Sequence, residues 1–235
     1  MYTDSRSQAT LQKQLQQQLQ QTLGRSLSEA ELSQYLPQIQ LVEPSTGKQF
    51  WDSAQSTPGI YLILRGKVRL FNTYGQLLTS LEGGSSFGEL TLFPGESFRS
   101  YVARASFKLQ LGFIPGTLLQ QLIKQEPQLG EHLKQQALFQ ELLLLCRQTS
   151  QLKSISLEKL KPVIPRLQPH RLNQGQLVSA GLSEQYFWLV RSGEIEGEGG
   201  QKLAAGSLYF PDRSGQFWQV NQSTEIYTLS HEDRD

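Results

Sequence analysis

The sequence has little cysteine, methionine or histidine: one, one and three residues respectively in 235, with a formal net charge of only +1. A lone cysteine, Cys146, excludes an internal disulfide framework and fits a reducing compartment. Lying in an apolar helical run, it reads as a small core residue rather than a nucleophile. His132, His170 and His231 are scattered, with no His-x-His or His-x-x-x-His pair to ligate a metal. The first is expected on a helix surface, the second in a Pro-His loop and the third near the terminus. No serine or cysteine stands in a nucleophile arrangement with histidine, so no catalytic residue, metal ligand or cofactor is assigned and no enzymatic activity is expected. The near-neutral charge gives no broad basic field and disfavours non-specific nucleic-acid binding. The longest apolar run, Leu142 to Cys146, is far too short to span a bilayer, and residues 1–25 lack the apolar centre of a signal peptide. A soluble, cytoplasmic protein is expected, without direct membrane insertion.

What is present is an ordinary globular balance, 37% hydrophobic and 18% charged, in a length suited to one large domain or two smaller ones. Leu11, Leu15, Leu19 and Leu23 make a narrow stripe over residues 8–23, predicting an amphipathic helix that docks on the protein's own body or on a partner, the first being the preferred reading. Ser28 and Glu31 form a capping box at the start of a second helix, which stops before Pro37. From Ile39 to Phe113 the texture changes to short strands between turns. Ile60 to Leu64 and Lys67 to Phe71 flank Arg65-Gly66; Gln76 to Leu81, Tyr101 to Ala105 and Lys108 to Ile114 follow. This spacing predicts an antiparallel barrel or jelly roll. Pro115 then opens a helix to about Lys124, and a longer one runs from about Leu129 to Gln151.

The chain also repeats. Leu27 to Leu32, Gly47, and Gly59-Ile-Tyr-Leu-Ile-Leu-Arg-Gly-Lys-Val68 make a first copy. Ile155 to Leu160, Gly175, and Gln185-Tyr-Phe-Trp-Leu-Val-Arg-Ser-Gly-Glu-Ile195 make a second. The fold class expected is therefore mainly β with flanking α-helices, in two tandem β-rolls of jelly-roll type. The divisions are an N-terminal helical segment over 1–26, a first roll with its closing helices over 27–152, and a degenerate second roll over 153–235. The second ends where its closing helix should begin, so the sequence reads as a piece of something longer.

The most informative stretch is Phe87-Gly-Glu-Leu-Thr-Leu-Phe-Pro-Gly-Glu-Ser-Phe-Arg-Ser100. A glycine lets backbone approach, the Glu89 carboxylate can accept from a hydroxyl, and the Arg99 guanidinium can clamp a phosphate. Glu89 and Arg99 could equally form an ion pair that fixes the loop. The second copy reads Ala205-Gly-Ser-Leu-Tyr-Phe-Pro211 at this point, without a matching carboxylate, and Arg213 falls too near to replace Arg99.

The Leu-Ser-x-x-x-Leu opening, the Tyr-Leu-Ile-Leu-Arg-Gly-Lys-Val core, Phe-Gly-Glu-Leu, Arg-Ser and Ala-Arg-Ala, followed by two closing helices, resemble a cyclic nucleotide-binding domain over residues 27–152. The resemblance implies that Glu89 accepts the ribose 2′-hydroxyl and Arg99 pairs with the cyclic phosphate. Ser100 and the backbone around Gly88, Glu89 and Leu90 would bond the phosphate oxygens. It also implies a base-reading hydroxyl on the long helix, where Leu144 stands. A leucine can cap a purine but cannot read its edge, so base preference stays open. More distantly, the glutamine-rich texture with Thr91-Leu-Phe-Pro94 and Ala103-Arg-Ala-Ser106 resembles the N-terminal sensor region of cyanobacterial peptidase-containing ABC exporters.

The expected function is a regulatory sensor that binds a cyclic mononucleotide, cyclic AMP or cyclic GMP, in the first roll and couples it to the rest of a larger protein or to a partner protein. A homodimer fits this reading too. A second roll in place of a helix-turn-helix argues against DNA binding, and the absence of an Arg-Arg-x-Ser/Thr pseudosubstrate argues against a kinase regulatory subunit. The competing reading is a ligand-free tandem scaffold that binds proteins; it accounts for Leu144 and the degenerate second roll.

Overall fold

A computed structural model describes residues 5–93, 100–179, 185–210 and 216–230. The leucine stripe lies on α1 (Ser5–Leu23) and does dock on the protein's own body. Leu15, Leu19 and Leu23 are buried with Ile60, Leu62 and Leu64, while the Gln18 amide donates to the Ile63 carbonyl at 2.8 Å. Gln12, Gln14, Gln17 and Gln21 are exposed on the other side, so the leucine stripe and the buried Gln18 hold the helix in place. Ser28 caps α2 (Glu29–Tyr35) with both halves of the capping box formed.

Among the described residues eight strands follow: β1 (Gln40–Val42), β2 (Gln49–Asp52), β3 (Gly59–Arg65), β4 (Lys67–Asn72), β5 (Leu77–Glu82), β6 (Ser86–Phe87), β7 (Tyr101–Ala105) and β8 (Gln110–Pro115). They pair antiparallel in two sheets, ordered β1-β8-β3-β6 and β2-β7-β4-β5. The last strand starts later than the sequence predicts because Lys108 takes a left-handed turn conformation, φ 54°. Two helices close the roll, α3 (Gly116–Gln125) and α4 (Pro127–Gln148). The second ends before Gln151, where the Thr149 carbonyl accepts from the Leu152 N–H at 3.0 Å and the Lys153 N–H at 2.9 Å in a turn.

The remaining strands are β9 (Gln168–Leu172), β10 (Leu177–Ser179), β11 (Gln185–Ser192), β12 (Glu194–Gly197), β13 (Lys202–Ala204), β14 (Leu208–Tyr209), β15 (Phe217–Val220) and β16 (Thr224–Ser230). Their sheets are ordered β14-β11-β16-β9 and β10-β15-β12-β13. Adding eight to each strand number of the first roll reproduces both orders, so the repeat read from the sequence is a repeat of topology. Gly66 and Gly193, with φ 86° and 84°, turn the corresponding hairpins. By internal contacts the chain divides into two compact units, residues 1–141 and 142–235, the division falling inside α4.

The matched registers reveal an exchange of core volume. In the first roll Ala103 of β7 pairs with Trp51 of β2 and with Leu70 of β4. At the same points of the second, Trp218 of β15 pairs with Val178 of β10 and Gly197 of β12. The indole has moved to the neighbouring strand, and its partners have shrunk to admit it. Trp51 and Trp218 are both buried, 2% and 0% exposed. Each core therefore reaches close packing by a different assignment of large and small residues.

Candidate functional site

Gly88 follows β6 with φ 105° and ψ −8°, a conformation that L side chains rarely adopt, and a Cβ there would lie 2.6 Å from the Gly59 carbonyl oxygen. The turn continues as one short 3₁₀ helix, Glu89–Leu92. Thr91 fastens it: its hydroxyl donates to the Gly88 carbonyl at 2.7 Å and accepts from the Gly59 N–H at 3.1 Å. Behind the turn lies an aromatic cluster. Phe87 stacks on Tyr61 with ring centroids 5.0 Å apart and meets Trp51 edge-on at 5.5 Å.

The turn carries the Glu89 side chain inward, to 1% exposure. The Ser86 hydroxyl donates to Oε1. Oε2 is buried with no hydrogen-bond partner among the described residues. Burial pushes the Glu89 carboxyl above its ordinary value, while Ser86, its own backbone N–H and the Gln140 amide act the other way. The Gln140 Nε2 donates to the Ser86 carbonyl at 2.8 Å and so ties α4 to the strand that enters the turn. Tyr101, at the start of β7, is buried beside this group. Its phenol is pushed up by burial and by the Glu89 charge, with the Gly88 N–H opposing.

A carboxylate with a free buried oxygen is poised to accept a hydrogen bond and costs stability while it waits. Its raised pKa means that the native chain holds the proton more tightly than the unfolded chain. The associated stability is present below the ordinary carboxylate range and is lost as pH rises through the folded pKa. Glu89→Gln should remove that loss, raising the unfolding free energy at neutral pH by about 1–3 kcal/mol. Urea titrations between pH 4 and 8 would check it. Equal pH slopes for the two proteins would refute it.

Of the residues picked from the sequence, Gly88, Glu89 and Leu90 are brought together in the turn, with Leu90 buried. Ser100 is exposed just before β7. Arg99, and with it Arg213 and His231, lies outside the described residues. Sequence reasoning missed Ser86, Tyr101 and Gln140. Ser86 carried a signal, a hydroxyl three residues before the carboxylate; Gln140 arrives from 54 residues away and carried none. In the second roll the register Trp188↔Tyr209 matches Tyr61↔Phe87, which puts Phe210 where Gly88 stands. A phenylalanine cannot replace that turn, so the second roll lacks this site.

The histidines also find their places. His132 sits on α4 with its ring nitrogen 2.9 Å from the Gln136 amide. His170 is in strand β9, not in a loop, and its ring nitrogen lies 3.0 Å from the Thr228 hydroxyl. The Pro169 that signalled a loop occupies a strand that, among the described residues, pairs with β16 alone, an edge that tolerates it. Cys146 is buried, which pushes its thiol up to about 11. Among the described residues no group of three or more His, Cys, Asp or Glu could hold a metal ion. No described helix is long and apolar enough to cross a membrane.

Residues 50–126 match the family model of the cyclic nucleotide-binding domain. The match spans about a third of the chain and contains the whole Gly88–Ser100 stretch. The second roll lies outside it. No curated protein matches the chain. Solved structures of related shape share little sequence with it. The regulatory domain of Toxoplasma gondii PKA, co-crystallised with cAMP, is 15% identical with a TM-score of 0.45, over 99% of this chain and 92% of that one. The regulatory subunit of a cAMP-independent protein kinase A from Trypanosoma cruzi, bound to guanosine, is 12% identical with a TM-score of 0.44, over 98% and 83%. The sensor domain of the transcriptional regulator DNR from Pseudomonas aeruginosa is 22% identical with a TM-score of 0.44, over 53% and 87%.

Proposed function

We propose that residues 27–152 form a regulatory sensor that binds a cyclic mononucleotide, cyclic AMP or cyclic GMP, at Gly88, Glu89, Leu90, Arg99 and Ser100. The observation that carries this reading is the buried Glu89 carboxylate with Oε2 unpaired, inside the segment that matches the cyclic nucleotide-binding family. A ribose hydroxyl donating to Oε2 would satisfy it, and a deoxyribose would leave it orphaned. The guanidinium of Arg99 would take the cyclic phosphate, a monoanion that one bidentate arginine neutralises. Ligand contact with this turn would reach α4 through the Gln140–Ser86 hydrogen bond, giving the long helix a differential interest in the occupied state. The protein on which that helix acts would be the remainder of a larger chain or a partner, an ABC exporter being the case that the second sequence resemblance implies.

Calorimetry with cyclic AMP and cyclic GMP tests this. Heat of binding is expected with one or both, weakened about 10- to 100-fold in Arg99→Ala, the range of a charge-assisted hydrogen-bond pair. Glu89→Ala should erase the preference for ribose over 2′-deoxyribose ligands. Absence of heat with either nucleotide would leave the competing reading, a ligand-free scaffold that binds proteins. That reading is favoured by one observation: Leu142 to Cys146 are all buried, so the position expected to read a base presents no polar group.

A further inference from the structure

Arg69 and Arg104 stand directly opposite each other on β4 and β7, on the outer face of the first roll. Both are exposed, and neither has a carboxylate partner among the described residues. Like charges facing across two strands repel, and an anionic partner would relieve them. Arg104 also lies over the Phe71 ring, 4.7 Å from its centroid, which fixes the guanidinium. Beside them Leu77 is 54% exposed. The acidic groups of this face are Glu82, held by Lys67 at 2.6 Å, and Asp52, whose carboxylate accepts from the Ala54 N–H.

The corresponding face of the second roll has the opposite character. By register, Glu196 stands where Arg69 does and Gln219 where Arg104 does. Lys202 pairs with Glu194 at 2.9 Å and reaches Glu196 at 3.9 Å, and the Asn221 amide donates to Glu196 at 2.9 Å, while Glu198 next to them is exposed. Leu177 and Phe217 flank the carboxylates, 64% and 52% exposed. One face thus offers two arginines beside an exposed Leu77; the other sets Glu194, Glu196 and Glu198 against the single Lys202, an excess of negative charge, beside the exposed Leu177 and Phe217.

We propose that these two faces bind each other between two copies of the chain, Arg69 and Arg104 of one copy meeting Glu196 and Glu198 of the next. Apolar contact between Phe71 with Leu77 and Leu177 with Phe217 would supply the desolvated centre, and the charges would set the register. Because the contact joins unlike surfaces, it is heterologous: it closes as a pair if both contacts form at once and otherwise extends. The inference is independent of nucleotide binding.

Sedimentation of the full chain over a concentration series tests it. Association is expected at low salt and should weaken at high salt. Arg69→Glu and Glu196→Arg should each weaken self-association at least about tenfold. An equimolar mixture of the two variants should associate again, since each retains the face that the other has lost. Circular dichroism checks that both are folded, and Arg104→Glu with Glu198→Arg replaces any that is not. A monomer at every concentration at low salt, or variants that associate like the wild type, would overturn the proposal.

Discussion

Gly88→Ala should destabilise the first unit by about 3 kcal/mol or more, from backbone strain and overpacking together. The residue sits at φ 105°, and the added methyl would meet the Gly59 carbonyl oxygen at 2.6 Å. Neither atom is free to yield. Gly59 begins β3, which is paired on both sides by β8 and β6. Gly88 is fastened to Gly59 through the Thr91 hydroxyl. Gly84 is the control: its φ is 92°, but nothing lies within 4 Å of the added atom. Gly84→Ala should therefore carry only the conformational cost, about 1–3 kcal/mol. Urea unfolding followed by circular dichroism compares them. Equal midpoints would show that close approach contributes nothing at Gly88.

The second large effect is expected at Trp218→Ala, about 3–5 kcal/mol, the usual cost of emptying a buried aromatic site. Trp218 packs in a core with Trp188, Val178 and Val220, and a Cβ on Gly197 would lie 3.0 Å from its ring. Gly197→Leu alone should destabilise by about 1–3 kcal/mol through overpacking. Placed in the Trp218→Ala background, the same change should cost less than nothing, because the first roll holds this combination as Leu70 and Ala103. The measured quantity is the coupling free energy of the double-mutant cycle. Strict additivity would mean that the two rolls do not share interchangeable packing solutions.

Much of this architecture is legible in the sequence because local rules wrote it. The capping box at Ser28, the α1 leucine stripe and the paired Gly66 and Gly193 turns each depend on residues a few positions apart. So does the Gly88-Glu89 turn, where one residue supplies the positive φ and the next the carboxylate. The matching sheet orders follow from the repeated strand texture. What the sequence hides is assembled from a distance. Gln140 reaches Ser86 from another element, and the exchange of Trp51 for Trp218 emerges only when the registers of two rolls are aligned. His170 misled for a related reason: Pro169 signals a loop unless the strand that holds it lies at a sheet edge.

The displaced indole has a practical corollary. Of the three tryptophans, Trp51 alone belongs to residues 1–141; the other two are Trp188 and Trp218. Trp51 touches Phe87, whose next neighbour is Gly88, and its ring centroid lies 4.9 Å from that of Tyr101. The chain has thus placed a single indole, which can be excited apart from the tyrosines, behind the candidate nucleotide turn. With the two indoles of the second roll replaced by phenylalanine, its emission becomes an optical readout of that turn, with no label attached.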